Sequence, residues 1–191
     1  MRICVYCASS SRIPEAYFEA TQTLATLLVQ EGVSVVYGGG RHGLMGRLAD
    51  TVLACGGNIR GIMPHFMNEV EWAHKGVTDL EFTQTMHERK SRFLEGVDAL
   101  IALPGGTGTM EELLEAITLK RLGQFTKPIV ILNTAGYYDP LCTMLERCIA
   151  EQFLRPIHAE MWSFVRHPVE VLPAIRQAMA WDANAISFAA L

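Results

Sequence analysis

Two short apolar runs in this chain end abruptly in glycine. Residues 33–37 (VSVVY) lead into Gly38-Gly39-Gly40, and residues 98–103 (DALIAL) lead into Pro104-Gly105-Gly106-Thr107-Gly108-Thr109. Neither run alternates between apolar and polar residues, so each reads as a strand buried on both faces. Helical spacing follows the second loop: Met110, Leu113, Leu114 and Ile117 fall at i, i+3, i+4 and i+7. The pattern recurs along the chain. Strands are predicted at residues 2–8, 33–37, 58–63, 98–103, 128–132 and 162–165, with a weaker candidate at 80–84. Helices are predicted from Pro14 to Gly32 and over 44–54, 87–97, 110–122, 138–152 and 168–179. Buried strands joined by helices build an α/β fold, a doubly wound parallel sheet with helices on both faces. At 191 residues it is expected to be a single domain, 1–191. Ligands of such sheets bind beyond the carboxyl ends of the strands, where both glycine loops fall.

Charge narrows the ligand. Lys plus Arg is 16 and Asp plus Glu is 20, a net charge of −4. No nucleic-acid partner is expected of such a chain, and an anionic ligand needs positive charge concentrated locally. With half the residues hydrophobic, a disordered chain is excluded. No run is long and apolar enough to suggest a membrane span. The five cysteines (Cys4, Cys7, Cys55, Cys142, Cys148) are odd in number and follow no secretory signal, which points to reduced thiols and a cytoplasmic setting. Cys4 and Cys7 lie inside a strand, so they read as buried side chains rather than a redox pair. No residues have metal-ligand spacing, and no cofactor is expected.

Glycine lets the backbone approach an anion, and the helix that follows offers free N–H groups and the positive end of its dipole. Residues 37–46 (YGGGRHGLMG), with Gly39 and Gly40, and residues 103–112 (LPGGTGTMEE) are thus both candidate phosphate cradles. Tight turns are the plainer reading of either loop. No G-x-x-x-x-G-K-[ST] is present; the first strand ends in Ala8-Ser9-Ser10 rather than G-x-G-x-x-G, and the second ends in Tyr37-Gly38 with no acidic residue to hold a ribose, which argues against an NAD-dependent oxidoreductase. Met86-His87-Glu88-Arg89-Lys90-Ser91-Arg92 opens a helix with three cations that oppose its dipole. As a functional cluster, Arg89 and Arg92 on one face, with Lys90, supply the local positive field; as a plain one, they are a solvated face. Glu111 and Glu112 favour a helix start electrostatically. Beside a bound phosphosugar, Glu112 can also stabilise an oxocarbenium ion or position a water or ribose hydroxyl.

Three strings, GGGRHGLMG (38–46), MHERK (86–90) and PGGTGTMEE (104–112), in this order and spacing resemble the LOG ("lonely guy") family of cytokinin riboside 5′-monophosphate phosphoribohydrolases, often mislabelled lysine decarboxylases. The resemblance implies a Rossmann-like homodimer that hydrolyses a nucleoside 5′-monophosphate to free base and ribose 5-phosphate. It makes Arg89 and Glu112 the catalytic pair. Substrate contacts then fall on Glu71, Lys90, Gly105, Gly106, Thr107, Gly108, Thr109, Met110, Glu111 and Thr118. In our own reading of the second glycine loop, the 5′-phosphate is expected on the N–H groups of Gly106, Gly108 and Thr109. The rival from another class is a non-catalytic nucleotide carrier or sensor using the same loops. A pyridoxal decarboxylase needs a Schiff-base lysine, and Lys75, Lys90, Lys120 and Lys127 have no context for it.

Overall fold

The structure, a computed structural model, describes residues 1–69 and 72–189. Among the described residues there are seven strands: β1 (Arg2–Tyr6), β2 (Ser34–Tyr37), β3 (Ile59–Pro64), β4 (Asp79–Thr83), β5 (Ala99–Ala102), β6 (Ile129–Leu132) and β7 (Ser163–Val165). All pair in parallel in one sheet of order β4-β3-β2-β1-β5-β6-β7. The α-helices are α1 (Glu15–Gln30), α2 (Gly43–Ala54), α3 (His65–Glu69), α4 (Met86–Leu94), α5 (Thr107–Arg121), α6 (Asp139–Ala150) and α7 (Val171–Gln177).

The expected doubly wound parallel sheet is therefore found, and burial explains why its strands differ in legibility. Central β5 and β6 are buried at every position, whereas the edge strands β4 and β7 are mostly half-exposed. Successive residues of β1 point to opposite layers. Ile3 and Val5 join a core with Leu24, Leu28, Leu48 and Ile175, on the side of α1, α2 and α7. Cys4 and Tyr6 join the other core with Phe93, Leu113, Ile117 and Leu145, on the side of α4, α5 and α6.

The chain winds outward from β1 to β4, then returns to lay β5 against the other side of β1. The loops after β1 and β5 therefore leave in opposite senses, and a crevice opens between them, the switch point of the sheet. Some boundaries differ from expectation. α5 starts at Thr107, so the threonines and glycines that weaken helix propensity form its first turn, with extended Gly106 as N-cap. The last helix is shorter than expected: residues Pro168–Glu170 form a 3₁₀ turn and α7 ends at Gln177. α3 follows directly on Pro64, the last residue of β3, and has no counterpart among the expected helices. Among the described residues, no helix is long and apolar enough to cross a membrane, and no His, Cys, Asp and Glu group is placed to hold a metal.

Candidate active site

A cavity of about 310 Å³ occupies the switch point. Its floor is the end of β1 and the residues after it, Val5 to Ser9. Hydrogen bonds lock this floor to its neighbours. Leu103 N–H donates to Tyr6 O (2.8 Å), Ala8 N–H to Pro104 O (3.2 Å), and Leu44 and Met45 N–H both to Ala8 O (2.9 and 3.2 Å).

These last two bonds separate the two glycine loops. At the start of α2, the N–H groups of Leu44 and Met45 are taken by Ala8 O, and that of Gly43 by Ser11 Oγ at 3.2 Å. Gly43 has φ +61°, and a Cβ there would lie 2.5 Å from Ser10 O. This glycine brings helix and loop into contact and leaves no room for an anion. Gly38 lines the cavity; Gly39 and Gly40 do not, since Gly39 packs on Met63 and Gly40 forms a bridge to Ala73.

The start of α5 is the reverse. Met110 N–H closes on Gly106 O, but among the described residues no protein acceptor takes the N–H groups of Thr107, Gly108 and Thr109. All three residues line the cavity with Gly106. A Cβ at Gly106 or Gly108 would meet nothing within 4 Å. Three open donors at the positive end of a 15-residue helix form an anion seat. The carbonyls behind it are braced by Tyr137, whose hydroxyl donates to Gly105 O (2.6 Å), and by Tyr138, whose hydroxyl donates to Leu103 O (2.7 Å). Gly105 itself is not part of the cavity wall.

Glu112 lies farther along α5 in the same cavity, its side chain 12% exposed. Arg89 Nη1 donates to Glu112 Oε1 at 2.7 Å. The guanidinium is fixed on its other sides: Nε donates to Ile62 O (3.0 Å), Nη2 to Gly38 O (3.4 Å), and its carbon stands 4.5 Å from the centre of the Phe93 ring. A Cβ at Gly38 would lie 2.6 Å from Nη2, so this glycine admits the arginine. Burial pushes the Glu112 carboxyl above its ordinary range, and the adjacent Arg89 charge pulls it back towards ionisation.

The expected cluster of three cations is divided. Arg89 faces the cavity, and is the one Lys or Arg among the described residues that lines it. Arg92 turns outward to Glu81 and Glu95. Lys90 pairs with Glu111 (2.6 Å) and Glu115 (2.9 Å), which raise its pKa. Lys90 is thus outside the cavity wall and ties α4 to α5. Met110, Glu111 and Thr118 line a separate open concavity on the outer face of α5, with Leu114 and Glu115, and Thr107 borders both. Glu71 lies outside the described residues. Sequence reasoning missed the apolar side of the cavity, Met45, Met67, Trp72, Met86 and Phe93. It also missed the tyrosine pair, whose adjacency after β6 was the available signal.

Fold and cavity together define a parallel α/β protein whose switch point joins a helix-start anion seat to a partly buried glutamate–arginine pair. Residues 45–175 match the family described as "Possible lysine decarboxylase". The chain is 44% identical over 154 residues to the probable cytokinin riboside 5′-monophosphate phosphoribohydrolase LOGL1 of Oryza sativa subsp. japonica, covering 81% of this chain and 69% of the relative. It is 42% identical to the cytokinin riboside 5′-monophosphate phosphoribohydrolase LOG2 of Arabidopsis thaliana, covering 80% and 72%. The fold superimposes on the molybdenum cofactor binding protein of Rippkaea orientalis with a TM-score of 0.70 at 19% identity, over 92% and 94% of the two chains. The chain belongs to the LOG family of cytokinin riboside 5′-monophosphate phosphoribohydrolases.

Proposed function

We propose that this chain, as one domain, hydrolyses the N-glycosidic bond of cytokinin riboside 5′-monophosphates, AMP or both, releasing free base and ribose 5-phosphate. One observation carries the reading: a seat for a phosphate and a partly buried carboxylate share one cavity and one helix. Glu112 stands five residues after Thr107, about 7.5 Å along the axis of α5. A 5′-phosphate on the first-turn N–H groups places the pentose over Glu112. The relatives' names supply the substrate class.

In this mechanism a water oxygen bonds to C1′ as the C1′–N9 bond breaks. The bonding pair leaves with the base, which takes up a proton, and Glu112 accepts the proton shed by the water. Its carboxylate also faces the positive charge that builds on the sugar. Arg89 keeps Glu112 ionised and aimed. None of the four lysines lines the cavity, so the residues present do not fit a pyridoxal Schiff base, and no step is routed through one.

We further propose that the molecule is a cytoplasmic homodimer. The free cysteines suit a reducing compartment. The outer face of α5, where Leu114 is 42% exposed among Met110 and Thr118, suits pairing with a second copy.

The test is product analysis. Pure protein incubated with AMP and with N6-isopentenyl-AMP should yield free base and ribose 5-phosphate; a carrier would yield neither. Glu112→Gln should lower turnover at least ~10²-fold while AMP binding persists. Near-wild-type turnover by that variant would remove Glu112 from the chemistry.

A further inference from the structure

The proposed reaction leaves one conspicuous side chain without a task. Trp72 is 49% exposed, yet it lines the cavity and enters no ring–ring or cation–ring pair among the described residues. Its backbone, in contrast, is held. Arg41 N–H donates to Trp72 O at 3.0 Å, and His74 N–H donates to Gly39 O at 2.9 Å. The intervening residue Ala73 bridges Gly40 in antiparallel fashion. His74 is itself anchored, its Nε2 lying 3.0 Å from Asp50 Oδ1 and its Nδ1 accepting from Gly76 N–H at 3.1 Å. A strap across the first glycine loop therefore fixes a half-exposed indole at the cavity. This also gives Gly39 and Gly40 a role: they carry the strap.

The cavity is chemically lopsided. The start of α5 and Glu112 form its polar side; Met45, Met67, Met86 and Trp72 supply an apolar wall. Methionine side chains adapt to irregular apolar groups, and an indole offers a flat apolar face. With the phosphate on α5 and C1′ at Glu112, the base must extend towards that wall. In a purine joined through N9, the exocyclic amine lies on the ring farther from the sugar, so its substituent reaches deepest.

We propose that Trp72, backed by the three methionines, is the residue that selects nucleotides carrying an apolar substituent on the exocyclic amine of the purine over unsubstituted AMP. This rests on the hydrolase reading above. When the substituent binds, the exposed indole face is covered, and water is displaced from both apolar surfaces.

The experiment compares wild type, Trp72→Ala and Trp72→Phe on AMP and N6-isopentenyl-AMP, measuring kcat and KM for each. For Trp72→Ala, kcat/KM on the alkylated nucleotide should fall about tenfold further than on AMP, chiefly through KM. Trp72→Phe, which keeps a flat apolar ring, should restore most of the difference. Equal losses on both substrates, or a loss confined to kcat, would overturn the selectivity role while leaving the hydrolase reading intact. Failure of the wild type to release base from either nucleotide would overturn both. Circular dichroism melting checks that each variant is folded.

Discussion

Among single residues, the contrast between glycines decides where chemistry can occur. Gly43 and Gly46 are pressed against backbone, a Cβ at Gly46 falling 2.2 Å from Arg41 O, so they serve packing. At Gly108 the added atom would meet only open space, and nothing in the protein requires the absence of a side chain. On the proposed reading the ligand requires it, since phosphate oxygens must come within hydrogen-bonding distance of the helix-start N–H groups. Gly108→Ala should therefore leave the fold intact, with an unchanged or slightly raised melting temperature, because alanine is the better helix former by up to ~1 kcal/mol. The same change should weaken AMP binding by about tenfold or more, since a methyl group intrudes on the seat. Isothermal titration calorimetry beside a thermal melt separates the two effects. Unaltered AMP affinity would place the phosphate elsewhere. The Arg89–Glu112 pair shows the matching logic for charge: an arginine held by two carbonyls and a phenyl face cannot follow the ligand, so the carboxylate it holds is already in place before substrate arrives.

At the scale of elements, much was legible because burial leaves its mark on composition. The wholly buried β5 and β6 are uniformly apolar, and their strand character can be read directly. β4, half-exposed at the sheet edge and carrying Asp79 and Glu81, blurs into its surroundings for the same reason. The Arg89 and Glu112 assignment came from a motif resemblance, and the fold brings the two within 2.7 Å. Which glycine loop is free could not be read, because both sequences precede helices; tertiary bonds distinguish them, from Leu44 and Met45 to Ala8 O and from Gly43 to Ser11 Oγ. The fate of the α4 cations was equally hidden. Helix periodicity places Arg92 near Arg89, but the partners Glu81 and Glu95 that draw it outward come from tertiary structure and the turn beyond. Helix α5 was legible from its spacing but its faces were not: it buries Leu113 and Ile117 in the core while Leu114, at the same helical spacing, faces out. That second face belongs to the proposed dimer. Leu114→Glu should convert a species of twice 21.2 kDa into a monomer in sedimentation equilibrium, because it sets a charge beside Glu111 and Glu115 in the middle of the contact. A wild-type chain that sediments as a monomer would remove α5 from any such role.

For the molecule as a whole, the helix that carries the site is held at its far end by the C-terminal segment. Arg121 donates twice to Ala189 O (3.0 and 2.6 Å), and Trp181 Nε1 donates to Lys120 O (2.6 Å). Lys120 is 1% exposed; its ammonium donates to Lys127 O (2.8 Å) and stands 5.8 Å from the centre of the Trp181 ring. No carboxylate is paired with it among the described residues, so burial alone lowers its pKa to about 8 from 10.5. The sign of the consequence follows from proton counting. Below about pH 8 both folded and unfolded chains hold the proton, and the fold bears the full cost of burying the charge. Between about pH 8 and 10.5 the unfolded chain binds the proton more tightly than the folded one, so this site makes the fold more stable as pH rises. Across the whole interval the gain is about 3 kcal/mol. The buried thiols of Cys4 and Cys7 act oppositely at high pH, since burial raises their pKa and folding resists their ionisation. The informative quantity is therefore a difference. Urea unfolding of wild type and Lys120→Met at pH 7, 8, 9 and 10 should show the stability of wild type climbing relative to the variant above pH 8. Parallel curves for the two proteins would mean that Lys120 keeps its proton throughout, its charge held by the Lys127 carbonyl and the Trp181 ring.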